Sequence, residues 1–596
     1  MGKSTICTKD LAVEGNSATE GDESGAAFPL DRLLHAWSGK ITGAISPASL
    51  YLAFTDWLVH LGMNPGHQAY LVEKALKKYM RYALYATRYM TDESKCPCIV
   101  PLPQDNRFSA DTWQNPPFNF IYQGFLLHQQ WWYNATAGVH GVNKHHEQVV
   151  SFVARQILDI LAPSNFLLTN PELMRVTMEE HGNNLWRGMM HAYEDLESAL
   201  AGREPLGMDE YKIGKNLGIT PGKIIYRNEL MELIQYTPTT KEVYAEPVLI
   251  TPAWIMKYYI LDLSPENSLV KYLVDKGHTV FMISWKNPTA KLRDFGLDEY
   301  RRLGLMEAIE AVRNIVPGQK IHAVGYCLGG TLLAITSAAL ARQKDQCLKT
   351  VTLFAAQTDF EEAGELLLFI DESQVSYLED MMWDQGYLDK KQMAGAFQLL
   401  RSNDLIWSRL QHNYLLGERQ KLNDLMAWNA DATRMPYKMH SEYLRTLFLN
   451  NDFAEGRLHV EGKAVTPANI RAPIFVVATT RDHVSPWKSV YKIHLFADTT
   501  ITFVLTSGGH NAGIVSEPGH PHREFQIYTT AKDAGYISPE RWQEKTPVQE
   551  GSWWPAWQEW LVNESTQKKV SPPTLGHKEK GDDVLCDAPG TYVFEQ

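Results

Sequence analysis

The sequence predicts an α/β fold: a largely parallel sheet covered by helices on both faces, preceded by a mainly helical region and interrupted by a helical insertion. Three observations carry this expectation. Beyond about Thr220, short apolar runs alternate with helical stretches, the pattern of strands buried on both faces. Before that point, from Leu30 to Ala201, apolar residues recur mainly at helical spacing. Between about Gln357 and Ile470 the alternation stops, and an aromatic, Met-rich helical segment replaces it.

The chain has 596 residues, too many for one compact core. The change of pattern divides it into an N-terminal helical domain, residues 1–215, and a second domain, residues 216–596, with the insertion at about 357–470. Lys plus Arg number 57 against 69 Asp plus Glu, a net charge of −12, which argues against a nucleic-acid partner. Six cysteines without a paired framework fit a reducing compartment. Cys96-Pro97-Cys98 lacks a second pair at zinc spacing, so no metal is expected. The opening Met1-Gly2-Lys3-Ser4-Thr5-Ile6 carries no apolar signal region, and no apolar run reaches the roughly 18 residues of a membrane span. The expectation is a cytoplasmic chain that does not cross a membrane.

Taken in order, residues 1 to about 30 are polar and Gly/Ser-rich, and are expected to be disordered. Leu30 to Ala86 reads as amphipathic helix, whose Trp37, Tyr51, Phe54, Trp57, Leu58 and Leu61 either pack a core or dock on an apolar surface. Cys96 to Gln104, with three prolines, reads as a linker. Helix returns from Phe118 to Ala201, broken at Pro163-Ser164-Asn165 and Asn170-Pro171. Six runs read as sheet strands: Pro247–Ile250, Thr279–Trp285, Ile321–Val324, Val351–Ala355, Ile474–Ala478 and Thr500–Leu505. The insertion reads as a cap over the active site, and the polar tail from about Ser565 as loose chain.

The chemistry lies in Gly325-Tyr326-Cys327-Leu328-Gly329, which follows a predicted strand and opens a predicted helix. This is a nucleophile elbow with Cys in place of Ser, and it predicts an α/β-hydrolase core. The glycines permit the tight turn, and the helix N-terminus favours a thiolate. An acid and a histidine should follow in that order, each after a core strand. Asp482 and His510 hold those places. One oxyanion-hole N–H is expected from Leu328 and the other from the turn after Pro247–Ile250, near Ile255. A thiol attacking a thioester makes another thioester, so the acyl group stays activated for onward transfer. Cysteine at the elbow therefore points to acyl transfer from a donor such as an acyl-coenzyme A. The competing reading is a cysteine-type hydrolase, such as an intracellular polyester depolymerase.

Gly325 to Gly330 resembles the lipase-like box of polyhydroxyalkanoate synthases. So do Trp254 to Leu263, Phe281 to Pro288, Trp428 to Pro436, Asp482-His483 and Gly551-Ser552-Trp553-Trp554-Pro555. The resemblance runs from about Phe108 to Leu561, and the chain length is similar to that of the class I enzymes. It departs at Met256, Thr480-Arg481 and Ser507-Gly508-Gly509-His510-Asn511-Ala512-Gly513, and the first hundred residues carry no motif of the family. The resemblance implies polymerisation of (R)-3-hydroxyacyl-coenzyme A, such as 3-hydroxybutyryl-coenzyme A, with release of coenzyme A. It implies Cys327 as carrier of the chain and His510 as its activator, with Asp482 orienting His510 or helping to deprotonate the 3-hydroxyl. Trp428 resembles the aromatic neighbour of the thiol, and Tyr326 and His483 are further substrate-pocket residues. A homodimer, attachment to a growing polyester granule with its associated proteins, and no cofactor complete the expectation.

Overall fold

The computed structural model describes residues 28–91, 96–102, 104–203, 206–390, 392, 406–577 and 583–596. The expected disorder of the first thirty residues falls almost wholly outside them.

Eleven strands form the central sheet. In chain order they are Gly222–Arg227 (β1), Met231–Tyr236 (β2), Val248–Thr251 (β3), Val280–Trp285 (β4), Ile321–Tyr326 (β5) and Leu348–Phe354 (β6). Ile474–Thr479 (β7), Ile501–Thr506 (β8), Glu524–Thr530 (β9), Val548–Glu550 (β10) and Cys586–Asp587 (β11) complete it. Across the sheet the order is β10-β9-β8-β7-β6-β5-β3-β4-β2-β1-β11. The six strands from β4 to β8 through β3 run parallel, and they are the six runs expected from sequence. They are buried on both faces, which is why they read as continuous apolar runs rather than alternating ones.

The sheet is mixed rather than parallel throughout. The β1–β2 hairpin, β9, β10 and β11 add antiparallel pairs at both edges. Sequence reading missed β2 because Glu232 and Gln235 interrupt its apolar pattern, yet both side chains are buried. Their partners come from the far end of the chain. The Glu232 carboxylate accepts the backbone N–H groups of Thr591 (2.9 Å) and Tyr592 (3.0 Å), and Gln235 Oε1 accepts that of Gly576 (2.9 Å). A buried carboxylate is costly unless paired and hydrogen-bonded. The C-terminal tail meets that need here, so its described part is anchored and not loose.

The N-terminal region is helical, with Phe28–Thr42, Pro47–Met63, Pro65–Met90, Phe118–Thr136, Lys144–Ile160, Pro171–Glu179 and Asn183–Leu200. The Asn170 side chain caps its helix by accepting from Glu172 N (3.0 Å) and Leu173 N (3.3 Å), a contact worth about 1 kcal/mol. Of the six apolar residues singled out between Trp37 and Leu61, Trp57 is buried, whereas Trp37, Tyr51, Phe54 and Leu58 stand exposed. The insertion between β6 and β7 includes the helices Glu372–Gln385, Asp424–Ala430 and Tyr437–Glu442. Phe28–Thr42 lies along Glu372–Gln385. Its Ser38 hydroxyl meets Tyr377 OH at 2.6 Å, and His35 Nδ1 meets Asp380 Oδ2 at 2.7 Å. Among the described residues no helix is long and apolar enough to cross a membrane.

Candidate active site

Strand β5 ends at Tyr326, and the helix Leu328–Gln343 begins two residues later. Cys327 sits between them at φ 52°, ψ −123°, a conformation that costs a residue with a Cβ about 1–3 kcal/mol. The turn persists because its flanks admit nothing larger. A Cβ on Gly325 would lie 2.4 Å from Gly330 Cα, and one on Gly329 would lie 2.1 Å from the Thr251 carbonyl oxygen. Cys327 N donates to Phe354 O (2.9 Å), and Gly330 N closes the first turn on Cys327 O (2.9 Å). The thiol is thereby raised at the N-terminus of a buried sixteen-residue helix.

Asp482 follows β7 and is held from both sides. Its Oδ1 accepts Val484 N (2.9 Å) and Ser485 N (2.8 Å), and its Oδ2 lies 2.7 Å from His510 Nδ1. His510 follows β8, and Cys327 acts on its ring as well as Asp482. Burial disfavours the imidazolium. The opposing charges of Asp482 and Cys327, with the Asp482 hydrogen bond, outweigh that effect and hold the His510 pKa well above its ordinary value. The loop carrying His510 is pinned from below: Trp553 Nε1 donates to Gly513 O (3.0 Å) and Trp554 Nε1 to Ile514 O (3.0 Å). That gives the Gly551–Pro555 motif a structural reason.

A cavity of about 910 Å³, including its open mouth, reaches the thiol. Its wall contains Cys327, Leu328 and Ile255, so both residues expected to supply oxyanion-hole N–H groups border the same space as the nucleophile. Three expected pocket residues lie elsewhere. Tyr326 is buried with its ring 5.7 Å from that of His510, and its hydroxyl donates to Asn511 Oδ1 (2.6 Å). His483 adjoins Asp482, with its neighbour Val484 reaching the cavity instead. Trp428 is buried, and its Nε1 donates to Lys257 O (2.8 Å).

The Trp428–Pro436 motif instead clamps the Trp254–Tyr259 loop. Lys257 Nζ pairs with Asp431 Oδ1 (2.8 Å), Tyr259 OH donates to Asp431 Oδ2 (2.9 Å), and Thr433 Oγ1 donates to Trp254 O (2.7 Å). The insertion thus fixes the backbone from which Ile255 faces the cavity. Sequence reading missed most of the wall, Ala44, Gln374, His440 and Tyr443 among it. None lies near a recognisable motif in the required geometry. Ala44 belongs to a turn between two N-terminal helices that reaches the cavity only through the folded cap.

Comparison with known proteins bears on the family and the fold. A model described as Poly-beta-hydroxybutyrate polymerase (PhaC) N-terminus matches residues 104–273, and one described as alpha/beta hydrolase fold matches residues 246–517. A Poly(3-hydroxyalkanoate) polymerase of Methylorubrum extorquens is 40% identical over 83% of this chain and 82% of its own length. The chain belongs to the poly(3-hydroxyalkanoate) polymerase family. Further polymerases, from Rhizobium etli and Cupriavidus necator, are 38% and 34% identical, covering 83% and 85% of this chain and 78% and 87% of theirs. A second polymerase model, Poly-beta-hydroxybutyrate polymerase N terminal, matches residues 25–67. The polymerase likeness therefore extends into the first hundred residues, where motif reading found none. That segment includes the Gly43–Ile45 turn at the cavity wall.

Proposed function

We propose that the protein polymerises (R)-3-hydroxyacyl-coenzyme A, with 3-hydroxybutyryl-coenzyme A as its substrate, through acyl groups carried on Cys327. The observation that carries this reading is a cysteine, not a serine, at the elbow, engaged by His510 and Asp482 at an apolar cavity.

The steps follow from the contacts. His510 takes the thiol proton, and the thiolate attacks the thioester carbonyl. The N–H groups of Leu328 and Ile255 receive the developing oxyanion. The carbon–sulfur bond to coenzyme A then breaks, and coenzyme A leaves with the proton from His510. The 3-hydroxyl of a next unit loses its proton to the His510–Asp482 pair, attacks the Cys327 thioester, and frees the thiol. The apolar wall keeps water from competing for the same thioester.

In this reading the enzyme is a cytoplasmic homodimer that sits on its growing polyester granule and meets granule-associated proteins there. The exposed apolar residues of Pro47–Met63 and of Asn183–Leu200, among them Tyr51, Trp186, Tyr193 and Leu200, support an apolar docking surface. The test is to mix pure protein with 3-hydroxybutyryl-coenzyme A. Free coenzyme A and turbidity should rise together. Release of coenzyme A with only free 3-hydroxy acid would mark a hydrolase and end the proposal.

A further inference from the structure

We propose that His440 reads the 3-hydroxyl of the acyl group, its imidazole accepting that hydroxyl's hydrogen bond inside the cavity that ends at Cys327. This rests on the reading above and names the group within that site that selects 3-hydroxyacyl substrates.

His440 lies on the cap helix Tyr437–Glu442 and borders the same cavity as the thiol. It is 5% exposed, and neither ring nitrogen hydrogen-bonds any described residue; Nδ1 is buried with no partner. A buried polar side chain left unpaired is costly, so such a side chain bordering a ligand cavity marks where a ligand's polar group belongs. Gln374, a second polar residue of the wall, is committed on both sides. Gln374 Oε1 accepts Ser46 N (2.7 Å), and its Nε2 donates to Ala44 O (2.7 Å). Glu379, the acid that acts on His440, is held by Arg445 and Ser441.

Burial pushes the His440 pKa down to about 4, so at neutral pH the ring is uncharged and one nitrogen is an acceptor. The remaining wall is largely apolar, including Leu366, Phe369, Ile370, Leu444 and Phe448. An acyl-coenzyme A without a 3-hydroxyl would leave this nitrogen unpaired, whereas a 3-hydroxyacyl group satisfies it. The contact therefore discriminates by hydrogen bonding, the kind of recognition that rejects an analogue lacking the hydroxyl.

The experiment compares single-turnover coenzyme A release from 3-hydroxybutyryl- and butyryl-coenzyme A, both of which can acylate Cys327. Wild type should prefer the hydroxylated donor, and His440→Leu should shrink that preference about tenfold. His440→Gln, which keeps an acceptor, should restore most of it. If the leucine variant is insoluble, His440→Met carries the same comparison. An unchanged preference, or an equal loss on both donors, would overturn the assignment. A wild-type protein that releases no coenzyme A from either donor would instead sink the parent reading.

Discussion

Asp482 meets His510 Nδ1 with one carboxylate oxygen while two backbone N–H groups fix the other. The rotamer is therefore set before substrate arrives. Asp482→Asn should keep that shape yet remove the charge that supports the His510 proton. We expect a burst of coenzyme A, up to one equivalent per site, followed by elongation slowed at least tenfold. Loss of the burst together with the steady rate would confine Asp482 to orienting His510. The variant should also give up stability in a defined direction. The His510 pKa is raised above 6.5 on folding, so its contribution is fully present below that pH and fades as pH rises through the folded value. The residues of this triad were legible in sequence because each follows a strand in a fixed topological order. His440 was not, since nothing in its own neighbourhood relates it to Cys327, 113 positions earlier.

Among the elements, the insertion and the turn between the first N-terminal helices border one cavity with the thiol. Cys327 is 9% exposed, and the Gly43–Ile45 turn borders its cavity. Gln374 holds that turn through two hydrogen bonds, each worth about 1 kcal/mol. In Gln374→Leu the turn should loosen, and a bulky maleimide should label Cys327 several-fold faster than in wild type. Equal rates in the two proteins would show that the turn does not gate the thiol. The insertion was legible as an interruption of the strand–helix rhythm, but its contacts were not. Trp428 reads as a neighbour of the thiol, and its indole N–H also braces the Lys257 carbonyl. A motif marks a residue as structurally demanding without saying whether it touches the ligand or the loop behind it.

Over the whole molecule, the parallel heart of the sheet was legible, because strands buried on both faces leave uninterrupted apolar runs. The antiparallel edges and the anchored tail were not. At the β2 edge, Glu232 and Gln235 meet residues of the tail more than three hundred positions away. The account's central claim joins the fold to the chemistry: a thiol at the elbow holds the growing chain. The most direct test is to mix the protein with limited 3-hydroxybutyryl-coenzyme A, quench in acid, digest, and weigh the peptide that contains Cys327. A ladder of masses on that peptide, spaced by one 3-hydroxybutyryl unit, is the predicted result. An unmodified Cys327 peptide sampled while coenzyme A is being released and polymer is forming would contradict it.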